Sequence, residues 1–316
     1  MRAPAAVPEQ RPLLGIGLVF AMAACFAVLD TSAKRLGIAL PVLVVLWSRY
    51  AFQALAMAIW LLRPGQRHLL RATQPRFQLV RGLLLLVVSG LGFVGLQHMP
   101  VAEFTAVVML TPVLVTVLAV LVLHERLTPL RWALVAGGFA GALVVVRPGS
   151  GIFGWAALIP AAGALCYAVF QLLTRQMAGV EHPLTTHFYT GLIGAAVASM
   201  ALAALPDVLW PELLWAGPKL WLLLLVVGVM GTAGHLLLIH ALPLAPMSLL
   251  MPFTYVQIVF ATVTGWLAFH HVPDGWAFVG MAVIAACGVA ALWLNARDSA
   301  RVPVPASTVN ADTLGN

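Results

Sequence analysis

The chain has 316 residues, of which 62% are hydrophobic and only 9% charged, and it carries a formal net charge of +7. Soluble domains are about one-quarter charged, so this composition excludes a soluble enzyme and a soluble nucleic-acid binder. With so few charges, the positive balance has to be read from where the cations stand along the chain.

Apolar stretches of about 20 residues, each long enough to cross ~30 Å of hydrocarbon, recur from one end to the other. They predict ten transmembrane helices, near 13–35, 41–62, 80–98, 102–123, 129–147, 152–175, 184–205, 220–241, 246–269 and 275–295, numbered here as spans 1 to 10. Leu220 to Pro273 holds no Asp, Glu, Lys or Arg, and only Leu242-Pro243-Leu244-Ala245-Pro246 interrupts it. Two spans joined by a tight turn are expected there. Residues 1–12 read as a short cytoplasmic segment, and 297–316, rich in Pro, Ser, Thr, Asn and Asp, as a disordered cytoplasmic tail. Cys25, Cys166 and Cys287 all fall inside spans, so no disulfide framework is implied. Met22-Ala23-Ala24-Cys25 looks like a lipoprotein cleavage site, but a cut there would destroy the first span.

The halves repeat one another. Phe26-Ala27-Val28-Leu29-Asp30, running on through Lys34 to Leu36, aligns without gaps with Tyr167-Ala168-Val169-Phe170-Gln171, running on through Arg175 to Met177. Leu121-Val122-Leu123-His124-Glu125 matches Leu267-Ala268-Phe269-His270-His271. Five spans per copy, an odd number, force the copies at 13–147 and 148–296 into opposite orientations across the bilayer. The expected fold class is therefore all-α integral membrane, ten helices as two inverted five-helix repeats around a central cavity. Inverted repeats are typical of secondary transporters, whose half-sites meet near the midplane.

Orientation follows from the cations. With a cytoplasmic amino terminus, Arg2, Arg11, Arg63, Arg67, Arg71, Arg76, Arg81, Arg126, Arg131, Arg175, Arg297 and Arg301 lie inside, against Lys34, Arg35, Arg147 and Lys219 outside. Twelve against four satisfies the positive-inside rule. The run from Arg63 to Arg81 is expected to meet anionic lipid headgroups rather than nucleic acid. Trp60, Trp132, Trp210, Trp215, Trp221 and Trp276 stand near span ends, as an aromatic belt does.

Polar residues inside spans are costly and mark candidate sites. Arg49 lies about 13 Å inside span 2 and Asp30 roughly 9 Å inside span 1, at ~1.5 Å per residue. Their matched depth on adjacent helices predicts an ion pair, either neutralising itself as a structural lock or standing beside a substrate path. Lys34 and Arg35 are expected to snorkel to the outer headgroups. Tyr50 follows Arg49; Tyr167 and Gln171 share one face of span 6. His235 sits mid-span behind Gly228, Gly231 and Gly234, which permit close helix approach. Thr111 with Pro112 in span 4, and Tyr255 and Gln257 after Pro252 in span 9, complete the set; proline inside a span frees a carbonyl and suits a cavity wall. The repeat places Asp30 opposite Gln171 and Thr111 opposite Gln257, with Tyr167, His235 and Tyr255 completing the wall.

Enzyme motifs fail. His124-Glu125-Arg126-Leu127-Thr128 has Thr where a zinc-protease helix needs its second His, and adjacent His270-His271 cannot chelate from one helix face. No phosphate-binding GxxxxGK[ST] loop is present, and Ser89 before Gly90 is too common a dipeptide to signal a nucleophile elbow. No cofactor and no metal site is expected.

The plan resembles the drug/metabolite transporter superfamily, in particular its EamA-type permeases, over roughly residues 10–296. The residues that carry the likeness are the Leu123-to-Thr128 corner with Trp132 and Gly141, and Gly280 and Gly288 in the second copy. His271 departs from the acidic residue frequent in the family, with Asp274 nearby. Phe26 to Lys34, Arg49-Tyr50, Arg81-Gly82, Gly234-His235 and Pro252-Phe253 with Tyr255 are similar to one bacterial branch, whose described carriers move S-adenosylmethionine or riboflavin. The resemblance implies a cavity lined by spans 1, 3, 4, 6, 8 and 9, with spans 5 and 10 peripheral, in a bacterial inner membrane. The expected function is secondary transport of a small organic metabolite, amino-acid-like, zwitterionic or nucleoside- or cofactor-like, with membrane lipids as surroundings and protons as a candidate coupling ion. A membrane enzyme acting on lipid, with Arg49 and His235 as its polar pair, and a passive channel are the alternatives.

Overall fold

The computed structural model describes residues 11–123, 129–147, 154–176, 180–205, 217–241, 244 and 250–301. The His124-to-Thr128 corner, most of the Leu242-to-Pro246 turn, Trp210, Trp215, the first ten residues and the tail from residue 302 lie outside the described residues.

In chain order the helices are α1 (Pro12–Leu36), α2 (Val42–Leu61), α3 (Pro75–His98), α4 (Val101–Val108), α5 (Thr111–Leu123), α6 (Pro129–Val146), α7 (Leu158–Gln176), α8 (Pro183–Ala204), α9 (Pro218–Ala241), α10 (Val256–Phe269) and α11 (Gly275–Arg301). Five of them open on proline, whose missing N–H is no loss in a first turn and whose φ is already helical. At the other end of the chain, the carboxylate of Asp274 accepts the Ala277 N–H at 2.9 Å and so caps α11.

Span 4 is broken in two. Pro112 has no N–H for the Val108 carbonyl, and the Thr111 hydroxyl donates to that carbonyl instead, at 2.7 Å. Thr111 is thus held by backbone repair. In the second half a 3₁₀ turn, Met251–Tyr255, runs directly into α10.

Among the described residues, six stretches are long and apolar enough to cross a membrane: Pro12–Leu36, Val42–Leu61, Pro75–His98, Gly154–Thr174, Pro183–Ala204 and Pro218–Ala241. Four shorter apolar helical stretches accompany them, Val101–Val115, Trp132–Val146, Phe253–Phe269 and Gly275–Ala291. The distribution of polarity is that of a protein dissolved in lipid. Leu13, Ile59, Val80, Leu143, Leu158, Met200, Leu222 and Val279 are exposed, whereas Arg49, Gln53, Gln78, Arg81, Ser89 and Thr190 are buried. In water that arrangement would be upside down.

α1 packs on α9 and α10, α3 on α7 and α8, and α2 on α8 and α9. α6 and α11 form a pair to one side. Their crossing is a glycine contact: a Cβ on Gly280 would stand 2.6 Å from the Gly141 carbonyl oxygen, and a Cβ on Gly141 would stand 2.9 Å from that of Gly280. The ends of the pair are tied as well, Arg147 Nη2 meeting Asp274 Oδ2 at 2.6 Å.

Candidate functional site

α2 carries Arg49, Tyr50 and Gln53 into the centre of the bundle. Arg49 is only 5% exposed. Its Nη1 donates to the Ser89 hydroxyl on α3, and its guanidinium lies 5.1 Å from the Tyr50 ring centre and 5.9 Å from that of Phe93. Tyr50 in turn donates to the Leu85 carbonyl at 3.0 Å and stands 2.7 Å from Ser89 Oγ. Neighbouring helices come this close because they offer no side chain. A Cβ on Gly194 of α8 would be 2.5 Å from the Tyr50 ring, and one on Gly231 of α9 would be 3.1 Å from Arg49 Nε.

A second guanidinium lies further along α3. Arg81, 8% exposed, donates through Nε to Thr174 Oγ1 on α7 at 2.8 Å. Its Nη1 donates to Thr190 Oγ1 at 2.9 Å and to the Thr186 carbonyl at 3.3 Å, both on α8. The same guanidinium covers the Phe170 ring at 4.5 Å, on which Tyr167 stacks at 5.7 Å. His187 of α8 and His235 of α9 stack at 5.6 Å, with Phe26 edge-on to His235 at 5.0 Å. Gln53 donates to the His187 carbonyl at 2.9 Å, and His235 Nδ1 lies 2.9 Å from the Gly231 carbonyl.

Both guanidinium charges act on Tyr167, His187 and His235, and that of Arg49 also acts on Asp30. The result is one polar cluster drawn from α1, α2, α3, α7, α8 and α9. Arg49 Nε and His187 Nε2 are buried in it without a hydrogen-bond partner. Among the described residues no group of three His, Cys, Asp or Glu side chains is placed to hold a metal.

Five of the nine sequence-derived candidates meet here: Asp30, Arg49, Tyr50, Tyr167 and His235. The expected Asp30–Arg49 ion pair is not made; Arg49 turns to Ser89, because equal depth on two helices does not fix the direction in which each side chain leaves its axis. Gln171 is part-buried on α7 and Gln257 buried on α10. Tyr255 packs away from the cluster with Ala142, Val145 and Ile284, its ring set against Gly288, and Thr111 repairs the backbone of the α4–α5 break.

Arg81, taken from sequence for a cytoplasmic headgroup residue, is buried instead: α3 starts at Pro75, so Arg81 lies six residues inside it. Ser89, Gln53 and His187 were not singled out as site residues. Their type is unremarkable in sequence, and only their position opposite the arginines gives them weight.

A separate polar group closes the end of the bundle where α1 and α3 finish. Lys34 and Arg35, expected to reach for headgroups, are both tied to backbone carbonyls of the bundle. Lys34 donates to the Leu96 and Met99 carbonyls at the end of α3, and Arg35 donates to the Ala268 carbonyl at the end of α10. Carbonyls left free at helix C-termini carry partial negative charge and attract cations. Thr31 bonds Thr264 at 2.8 Å, and His271 meets Glu103, which is buried, at 2.8 Å. A cavity of ≈ 290 Å³ opens beside them, lined by Lys34, Gln97, His98, Phe269 and His271 among others.

A family model described as the EamA-like transporter family matches residues 13–147 and again residues 154–294. The chain is 28% identical to a riboflavin transporter of Vibrio cholerae, over 87% of this chain and 92% of that protein. It is 24% identical to an S-adenosylmethionine uptake transporter of Rickettsia bellii, over 86% and 90% of the two chains. It is 27% identical to a pseudopaline exporter of Pseudomonas aeruginosa, over 87% and 95%. A solved crystal structure covers 90% of this chain and 98% of its own at a TM-score of 0.64 and 22% identity, a likeness of fold.

Proposed function

The chain belongs to the EamA-like transporter family, as a multi-pass membrane protein that moves small molecules and not an enzyme, and from that premise we propose a secondary transporter working by alternating access. The cargo is a small organic metabolite, amino-acid-like and zwitterionic or nucleoside- or cofactor-like, carried across a bacterial inner membrane. The observation that carries this reading is the buried cluster around Arg49 and Arg81, contributed by six helices of the bundle. Charges placed inside a membrane protein mark a substrate path by default. The relatives named for riboflavin, S-adenosylmethionine and pseudopaline support the size of the cargo.

The ten spans form two inverted repeats. In support, the family model matches twice, and the most extensive helix pairs have counterparts when the halves are exchanged. α1 on α9 is answered by α7 on α3, α2 on α9 by α8 on α3, and α1 on α10 by α7 on α5. The pairs α2–α8, α6–α11 and α4–α10 answer themselves. With Leu121 laid over Leu267, the helix break at Met109 falls on the junction at Tyr255. Asp30 is the candidate carrier of a coupling proton, and bilayer lipid covers the exposed apolar faces. Tyr255, Gln257, Gln171 and Thr111 enter as residues of the moving helices around the cluster.

Flux of a metabolite panel into and out of proteoliposomes tests the function: solute-specific flux is expected, whereas chemical conversion of a lipid, or unselective leak, contradicts it. The topology follows from the basic residues, eleven inside once Arg81 is moved into α3. A cysteine at Gln66 should stay unlabelled by an impermeant thiol reagent added outside sealed cells, and labelling there would overturn the orientation.

A further inference from the structure

Resting on the carrier reading, we propose that Arg49 and Arg81 form a binding site for an acidic group of the cargo, a carboxylate or phosphate, so that the site selects anions over neutral molecules of the same shape. The argument begins with charge. The acceptors of the two guanidiniums are all neutral: the hydroxyls of Ser89, Thr174 and Thr190 and the Thr186 carbonyl. Among the described residues, Asp30 is the one carboxylate on which a guanidinium of the cluster acts, and it makes no ion pair there. Glu103, which is buried, is engaged with His271 at the far cavity.

Even with Asp30 ionised, two guanidiniums therefore leave one positive charge in excess inside the bundle. Hydroxyls and carbonyls satisfy N–H groups but do not cancel charge, and an uncompensated buried ion is costly. An incoming anion is the missing counter-ion.

Geometry sets the class of anion. A guanidinium offers five N–H donors in a planar fork. Arg49 commits Nη1 and leaves Nε buried without an acceptor; Arg81 commits Nε and Nη1 and leaves Nη2. His187 Nε2 is also buried and unpartnered. Those donors suit a two- or three-oxygen acid, which arginine binds better than lysine does. Around them stand flat surfaces, the His187–His235 stack with Phe26 and the Tyr167–Phe170 stack, so the acid is carried on a molecule with a planar portion.

The test uses the purified full-length chain and two matched pairs of probes: nicotinamide with nicotinate, and riboflavin with riboflavin 5′-phosphate. Binding is read from the shift in melting temperature with concentration. At least one acid should bind about tenfold or more tightly than its neutral partner, and which pair responds distinguishes carboxylate from phosphate. Arg81→Gln and Arg49→Gln should each bring acid and neutral partner to within about twofold of one another, the acid losing the more affinity. Arg81→Lys, which keeps the charge and loses the fork, should retain only part of the preference, and Asp30→Asn, which removes the opposing charge, should widen it. Equal binding within both pairs, no binding by either acid, or an unchanged preference in Asp30→Asn would overturn the anion site. Acid binding without any flux in proteoliposomes would instead sink the carrier reading and leave the site standing.

Discussion

Replacing Gly280 with leucine is expected to abolish the folded yield of the protein. A Cβ at that position would meet the Gly141 carbonyl at 2.6 Å and the Val145 backbone nitrogen at 2.9 Å. Neither atom can rotate away, so α6 and α11 have to separate along the whole contact that includes Val145, Met281 and Ile284. Overpacking against movable side chains costs about 1–3 kcal/mol; against backbone the cost should reach or pass the upper end. Gly17, which has nothing within 4 Å of its would-be Cβ, supplies the control, since Gly17→Leu should leave yield and melting temperature nearly unchanged. Thermal unfolding monitored by size-exclusion chromatography separates the two variants, and equal stability would mean that the crossing is placed wrongly.

Arg49→Gln should reduce transport by about tenfold or more, and Asp30→Asn should leave the fold intact. In a direct buried ion pair, loss of either partner costs about 3–5 kcal/mol, and the two losses are strongly coupled. Here Arg49 is anchored by Ser89 and by the rings of Tyr50 and Phe93. Removing it forfeits a charge-assisted hydrogen bond worth about 1.5–3 kcal/mol, whereas removing the Asp30 charge disturbs none of those contacts. A double-mutant cycle on stability should return a coupling below about 1 kcal/mol. A coupling of several kcal/mol would restore the ion pair that the sequence suggested.

The apolar runs marked the membrane helices, since length and hydropathy are properties of a segment taken alone. Arg49, Tyr50 and His235 were found because a polar side chain deep inside such a run is expensive wherever it points. Asp30 and Arg49 share a depth by residue count, but their pairing depends on rotation about each helix axis, which spacing within one helix does not set. Arg81 and Lys34 were misread for a common reason. A cation near the end of a span looks like a headgroup residue until its helix start is known, as for Arg81, or until the free carbonyls of another helix are seen beside it, as for Lys34. Thr111 was legible in principle: a hydroxyl just before an intrahelical proline is placed to satisfy the carbonyl that the proline abandons.

The central claim is that the Arg49–Arg81 cluster is reached in turn from both faces of the membrane. Ser89 touches Arg49 and Tyr50, so a cysteine there, in protein whose Cys25, Cys166 and Cys287 have been replaced by serine, reports on the cluster itself; the neighbouring guanidinium favours its reactive thiolate. In proteoliposomes of known orientation, an impermeant anionic thiol reagent should modify Ser89→Cys from either side, and a transported solute should slow the reaction from both. Modification from one side only, or from neither, would contradict alternating access and make the cluster a structural knot.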